Sequence, residues 1–187
     1  MKKTFILAIL FTFTFCKAQV PSSATIIPMN SMNENSFNIT NNGKYFKDTD
    51  NTFDQWVGTW QYTNGITVFK IVIQKITGKY MPKGTHNIPI NCYMDILVGG
   101  YYYKENGVVK TKHLVYSNVL NPPLDIGGNT LIKANIFYNE IDKRPNLSGG
   151  FVNLTLLPGS TTQATWAFDP AYRRNYSVPD NLILTKL

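Results

Sequence analysis

An all-β fold is predicted, a single-domain antiparallel up-and-down β-barrel or a strongly curled meander sheet. Three observations carry that expectation. Runs of strand length, rich in β-branched and aromatic residues, recur from residue 45 to residue 187 with Gly, Pro and Asn between them. Two pairs of these runs meet at Asn64-Gly65 and Asn106-Gly107, a dipeptide suited to a two-residue hairpin turn because both positions tolerate positive φ. Beyond a short turn at residues 53–57, no segment shows an apolar helical stripe longer than two turns. A meander of seven to nine strands leaves two exposed edges, and closure into a barrel removes them.

The first eighteen residues stand outside the fold. Lys2 and Lys3 precede "TFILAILFTFTF", an apolar run too short to span a bilayer, so residues 1–18 read as a signal peptide. Cys16 raises a lipoprotein alternative, but the bulky Phe15 stands where lipoprotein processing wants a small side chain. Cleavage after Ala18 is expected instead, leaving a soluble secreted or periplasmic chain that begins at Gln19. Three of the 18 basic residues, Lys2, Lys3 and Lys17, leave with the signal, so against 11 acidic residues the net charge falls from +7 to about +4. The remaining lysines are scattered singly, as in "TVFKIVIQKITGKY", the pattern of a solvated strand face. Nucleic acid is therefore not an expected partner, and no later apolar run has transmembrane length. Of the two cysteines only Cys92 survives cleavage, so the fold has no internal disulfide and must stand on its core.

Residues 19–44, with "NSMNENSFNITNNG", lack any periodicity and read as a loosely held polar arm; residues 45–187 form the barrel domain. "GTWQYT" and "ITVFKIVIQKIT" make the first hairpin, "NCYMDILVGGYYYKE" and "VVKTKHLVYSNV" the second. "LIKANIFYNEI" runs to a turn at Pro145, and "GFVNLTLLP", "ATWAFD" and "NLILTKL" complete the series. Alternation assigns an inner face: Phe69, Ile71 and Ile73 against Lys70 and Gln74; Ile132, Ala134, Ile136 and Tyr138 against Lys133 and Asn135; Val152, Leu154 and Leu156 against Asn153 and Thr155. Trp166 and Phe168 continue that face. Gly99-Gly100 inside a strong strand predicts a bulge or sharp bend, with close approach of a ligand as the alternative.

The segment "QWVGTWQY" resembles the opening strand of the lipocalin and calycin group, whose Gly-x-Trp signature Gly58 and Trp60 match. The resemblance implies that Trp60 plugs the closed end of a barrel beneath a basic side chain from near the last strand, a place Arg173 or Arg174 in "DPAYRRNY" would fill. More widely, "KYFKDTDNTFDQWVGTWQYTNG", the terminal "NLILTKL" and a signal ending in "CKAQ" are similar to a family of small exported Bacteroidetes proteins of unknown function. That likeness implies export and a single domain, and it implies no activity.

The chemistry is sparse. Asp48, Asp50 and Asp54 fall at calcium-loop spacing in "DTDNTFD", but the central Gly and closing Glu are missing, so these side chains are expected to satisfy backbone donors in the turn before the first hairpin. His86 and His113 are the only histidines, and nothing brings either to Cys92. No enzyme activity, metal or cofactor is expected.

The aromatic residues suggest binding instead. "GGYYYKENG" sets Tyr102 on one face and Tyr101 and Tyr103 on the other, so at least one phenol turns inward. The expected ligand-binding set is Trp60, Phe69, Ile71, Tyr102, Ile136, Tyr138, Leu154, Trp166 and Phe168. Eight strands enclose a space that is either filled by side chains or holds one small ligand. The expected function is therefore an exported, lipocalin-like carrier of a small apolar molecule. The alternative is a filled barrel whose outer surface contacts a protein or a glycan at the cell envelope. An enclosed apolar cavity behind Trp60, Phe69, Ile136, Leu154 and Trp166 would separate the two. The loop "NPPLDIGGN", residues 121–129, either covers one mouth or is an ordinary connection.

Overall fold

The computed structural model describes residues 20–31, 38–84, 90–113, 133–138, 150–168 and 177–187; for 111–113, 133–138, 150 and 151 it describes the backbone alone. Ten strands follow one another: β1 (Ile26–Pro28), β2 (Tyr45–Lys47), β3 (Gly58–Asn64), β4 (Thr67–Met81), β5 (Cys92–Glu105), β6 (Val108–His113), β7 (Lys133–Tyr138), β8 (Gly150–Leu156), β9 (Gln163–Phe168) and β10 (Leu182–Lys186). The all-β expectation holds. Among the described residues the helical elements are short 3-10 turns, and no helix is long and apolar enough to cross a membrane.

Both predicted hairpins form, by different turns. Glu105 pairs with Val108, leaving Asn106 (φ 48°) and Gly107 (φ 80°) as the two loop residues, both left-handed. In the first hairpin Asn64 pairs with Thr67, so the loop is Gly65-Ile66, one residue later than the Asn-Gly signal suggests. Only its first position is left-handed (Gly65, φ 57°), and glycine supplies it without strain.

The sheet is two four-stranded meanders, β3 to β6 and β7 to β10, joined where β10 lies antiparallel to β3 with Lys186 opposite Trp60. The order across it is β6-β5-β4-β3-β10-β9-β8-β7, with β2 lying parallel beside the start of β5 and β1 parallel beside β2. Two predicted features need correction. Pairing is not purely antiparallel, because β1 and β2 enter parallel. The polar arm is also not loose over residues 20–31: β1 bonds to β2, and Met29 at its end is buried. Hydrogen bonding of the backbone, which no side-chain periodicity announces, ties this segment down. Among the described residues the sheet is open, with no ladder from β6 to β7.

The inner face predicted from alternation is the core. Phe69, Ile71 and Ile73 are buried on β4, Val152, Leu154 and Leu156 on β8, and Trp166 and Phe168 on β9, joined by Leu182 and Leu184 of β10. From Met94 to Val98 every residue of β5 is buried, so alternation fails there because both faces are covered. The predicted bulge at Gly99-Gly100 does not occur: Gly99 pairs regularly with Ile73 and Gly100 with Val72. Gly99 is needed for backbone approach, since a Cβ there would stand 2.6 Å from the Val72 carbonyl oxygen. The register shift lies lower, between Ile76 and Lys79, where Gly78 is left-handed at φ 62°.

Candidate functional site

A ligand carried inside the sheet would need space behind the inward-facing aromatic side chains. Trp60, Phe69, Leu154 and Trp166 have no exposed surface at all. A side chain bordering a void large enough for water would show surface to it. All four belong to one buried cluster, in which the Phe69 and Trp166 rings meet edge to face at 4.7 Å between centroids, Tyr103 lies 6.4 Å from Phe69, and Phe168 lies 6.0 Å from Trp166. Such contacts suit the ring quadrupoles and pack these described rings against each other.

One end of this core is sealed by the opening strand. The Trp60 indole N–H donates to the Trp56 carbonyl at 2.8 Å, and Trp56, although it precedes the strand, is as deeply buried as Trp60. The Lys186 ammonium lies 5.5 Å from the centre of the Trp60 ring and donates to the Gln55 carbonyl at 2.8 Å. Gly58 permits this approach: its φ is 130°, and a Cβ there would stand 3.0 Å from Lys186 Cε. The cation over Trp60 thus comes from β10 itself; Arg173 and Arg174 lie outside the described residues.

The other predicted ligand residues divide. Ile71 and Phe168 are buried in the same core. Tyr102 is not, since it shares the outer face with its β4 partner Lys70 and is partly exposed; the inward phenols are Tyr101 and Tyr103. Burial first, and the nearby Glu105 carboxylate that accepts from its hydroxyl at 3.2 Å, push the Tyr103 phenol up to about 12. Ile136 stands opposite Val152 and Tyr138 opposite Gly150 in the ladder, and their side chains lie outside the described residues, as do His86 and the whole of the 121–129 loop.

Below the core two carboxylates are buried. Asp48 accepts from the Thr52 N–H (2.9 Å) and hydroxyl (2.7 Å) and from the Phe53 N–H (3.0 Å), as its turn position predicts, and it pairs with the Lys75 ammonium at 2.9 Å. Burial alone would raise this carboxyl, but the hydrogen bonds from Lys75, Thr52 and Phe53 outweigh it and hold Asp48 below the usual carboxylate range. Lys75 also bridges to Asp54 at 2.8 Å. Asp95, which the sequence reading overlooked, accepts from the Tyr45 hydroxyl, the Asp48 N–H (3.0 Å) and the bulge N–H of Gly78 (2.9 Å). Its signal was available: a single acid inside the apolar run "YMDILV". Among the described residues no three His, Cys, Asp or Glu side chains gather to hold a metal ion.

A different site lies outside the core, where the arm crosses the start of β2. Here a groove of about 460 Å³ is lined by Pro21, Ser23 and Thr25 of the arm and by Asn42, Gly43 and Lys44. Tyr80 and Tyr93, cross-strand partners on β4 and β5, line it with rings 5.3 Å apart. The walls are fixed by backbone bonds: Gly43 N–H donates to the Asn91 carbonyl (2.7 Å), Tyr93 N–H to the Lys44 carbonyl (2.9 Å) and Tyr45 N–H to the Thr25 carbonyl (2.9 Å). The sequence reading missed this groove because its members come from four segments without shared periodicity.

Residues 1–145 match a family of unknown function, DUF6705. The chain belongs to the DUF6705 family. No curated protein and no solved structure matches it. The DUF6705 match takes in β1 to β7 and stops before β8, so the whole groove lies inside it, whereas Leu154 and Trp166 of the core lie beyond it.

Proposed function

We propose that this DUF6705 chain is an exported, filled β-barrel that serves as an interaction module at the cell envelope, meeting its ligand on its outer surface. The observation that carries this reading is the complete burial of Trp60, Phe69, Leu154 and Trp166, with the Phe69 and Trp166 rings in contact. It favours the filled alternative over the apolar carrier, because rings in mutual contact leave a ligand no room. Barrel closure is supported by the ladder order. An eight-stranded up-and-down barrel has eight neighbour pairings, and seven of them are present between β3 and β10, including first strand with last. An unrolled meander would leave β3 and β10 on opposite edges. Lys186 over Trp60, with Gly58 beneath, is in keeping with the calycin likeness. Export is supported by the basic start and short apolar run of residues 1–18.

Ala164, fully buried and paired with Leu156 and Leu184, offers the test. In a filled core Ala164→Phe overpacks and lowers stability by about 1 to 3 kcal/mol, and apolar fluorophores give no saturable signal with the wild type. Saturable binding of such a probe, abolished by an Ala164→Phe variant of unchanged stability, would instead establish a carrier.

A further inference from the structure

We infer that the outer groove is a binding site for an acidic saccharide, a pyranose chain bearing carboxylates; this rests on the reading that the ligand is met outside the core. A pyranose offers an apolar C–H face and a rim of oxygen atoms, so its site needs an aromatic surface beside polar groups. The Tyr80 and Tyr93 pair supplies the first, with Tyr80 38 % exposed where most aromatic rings among the described residues are buried.

Three of the polar side chains offer donors. Asn42 commits its amide oxygen to the Asn91 N–H at 3.0 Å, and Asn91 commits its own to the Lys83 N–H at 2.8 Å. With each oxygen engaged, the orientation of each amide is fixed, and each NH2 group is a donor with no partner among the described residues. Lys44 spends one of its three ammonium hydrogens on Asn41 Oδ1 at 2.8 Å and brings a positive charge to the same wall. Ser23 and Thr25 also line the groove, and a hydroxyl can donate as well as accept. Among the described residues the lining holds no carboxylate, the strongest acceptor for the hydroxyls of a neutral sugar. A cation and two oriented NH2 groups, with no anion to repel the ligand, match an acceptor-rich, negatively charged chain. The two amides are held by backbone N–H groups and Lys44 by Asn41, so little ordering is required on binding.

The test is a titration of the purified chain with tetragalacturonate and, separately, with the neutral galactose tetrasaccharide. Affinity is read by calorimetry and location by the side-chain NH2 resonances of isotope-labelled protein. Asn91→Asp keeps the oxygen that holds Lys83 while turning an NH2 donor into an anionic acceptor; Lys44→Met removes the charge. The expected result is saturable binding of the acid chain with shifts at the Asn42 and Asn91 NH2 groups. The neutral chain should bind about tenfold or more weakly, and each variant should lose about tenfold with an unchanged circular dichroism spectrum. No saturable response to tetragalacturonate, equal affinity for the neutral chain, or indifference to both variants overturns the assignment. A parallel titration with an apolar fluorophore separates the causes. Failure here without saturable fluorophore binding removes only the saccharide, whereas saturable fluorophore binding removes the filled-barrel reading as well.

Discussion

Asp95 shows how one side chain organises this end of the molecule. Its two oxygens take a phenol and two backbone N–H groups from three segments, β2, the turn after it and the β4 bulge. Asp95→Ala leaves three buried donors unanswered and should lower stability by about 3 kcal/mol or more. Asp95→Asn retains Oδ1 for Tyr45 and Gly78 but turns an NH2 toward the Asp48 N–H, and should cost roughly half as much in urea denaturation. Lys75→Met strands the buried Asp48 carboxylate and should cost about 3 to 5 kcal/mol at neutral pH. The pH dependence follows from the lowered Asp48 value. Its contribution is fully present above the unfolded carboxyl value of about 3.9 and is lost as pH falls through the lower folded value. Urea midpoints measured from about pH 7 to about pH 2 should therefore drop on acidification in the wild type and drop less in Lys75→Met. A parallel decline in the two proteins would mean that Lys75 is not what holds Asp48 ionised. Asp48 was legible because Asp in a polar turn announces backbone capping. Asp95 and Lys75 were not, since an acid and a base 20 residues apart give no sign that a turn will bring them to one layer.

At the scale of elements, hydrophobic alternation located the core-facing residues on β4, β8 and β9 without error, because a face that packs on one side must repeat every second residue. It failed wherever another segment covers the second face, as on β5, and wherever geometry depends on a single glycine. Gly99 looked like the bulge, and Gly78 is the bulge: a glycine in a strand signals close backbone approach and a register shift equally well, and only the partner strand decides. The pairing of the arm was invisible for a related reason, since a three-residue parallel strand contributes backbone bonds and little pattern. The bulge and the arm are physically joined. A Cβ on Gly78 would stand 2.5 Å from Val20 Cγ2, in a left-handed conformation that already costs about 1 to 2 kcal/mol for an L-residue. Gly78→Ala should therefore destabilise by about 2 kcal/mol or more. Val20→Ala removes the clashing methyl, so the double variant should recover the steric share and keep the conformational one. Strict additivity of the two changes would show that Val20 does not pack on the bulge. The groove shares this arm, and the same residues that escaped the pattern build its wall.

For the whole molecule, the meander order was readable in the succession of runs and turns, but which strands become neighbours across the long connections was not. Local signals stop at the hairpin, and the pairing of β3 with β10 joins residues more than a hundred positions apart. That pairing is also the one place, among the described residues, where the two meanders are bonded to each other. β10 is short, yet it carries Leu182 and Leu184 into the core, Lys186 onto Trp60, and a ladder on each side, and the chain end stays attached through the Leu187 N–H to the Thr59 carbonyl at 2.9 Å. Removing residues 182–187 exposes the edges of β3 and β9 together and uncovers Trp60 and Trp166, far more than a domain stable by about 5 to 15 kcal/mol tolerates. The truncated chain should lose cooperative thermal unfolding and the near-ultraviolet signal of its packed tryptophans. Adding the missing segment as a separate peptide should restore both in part, because the slot between β3 and β9 has two ladders waiting. A truncated chain that still unfolds cooperatively with its tryptophans buried would mean that other contacts, and not β10, hold the halves of the sheet together.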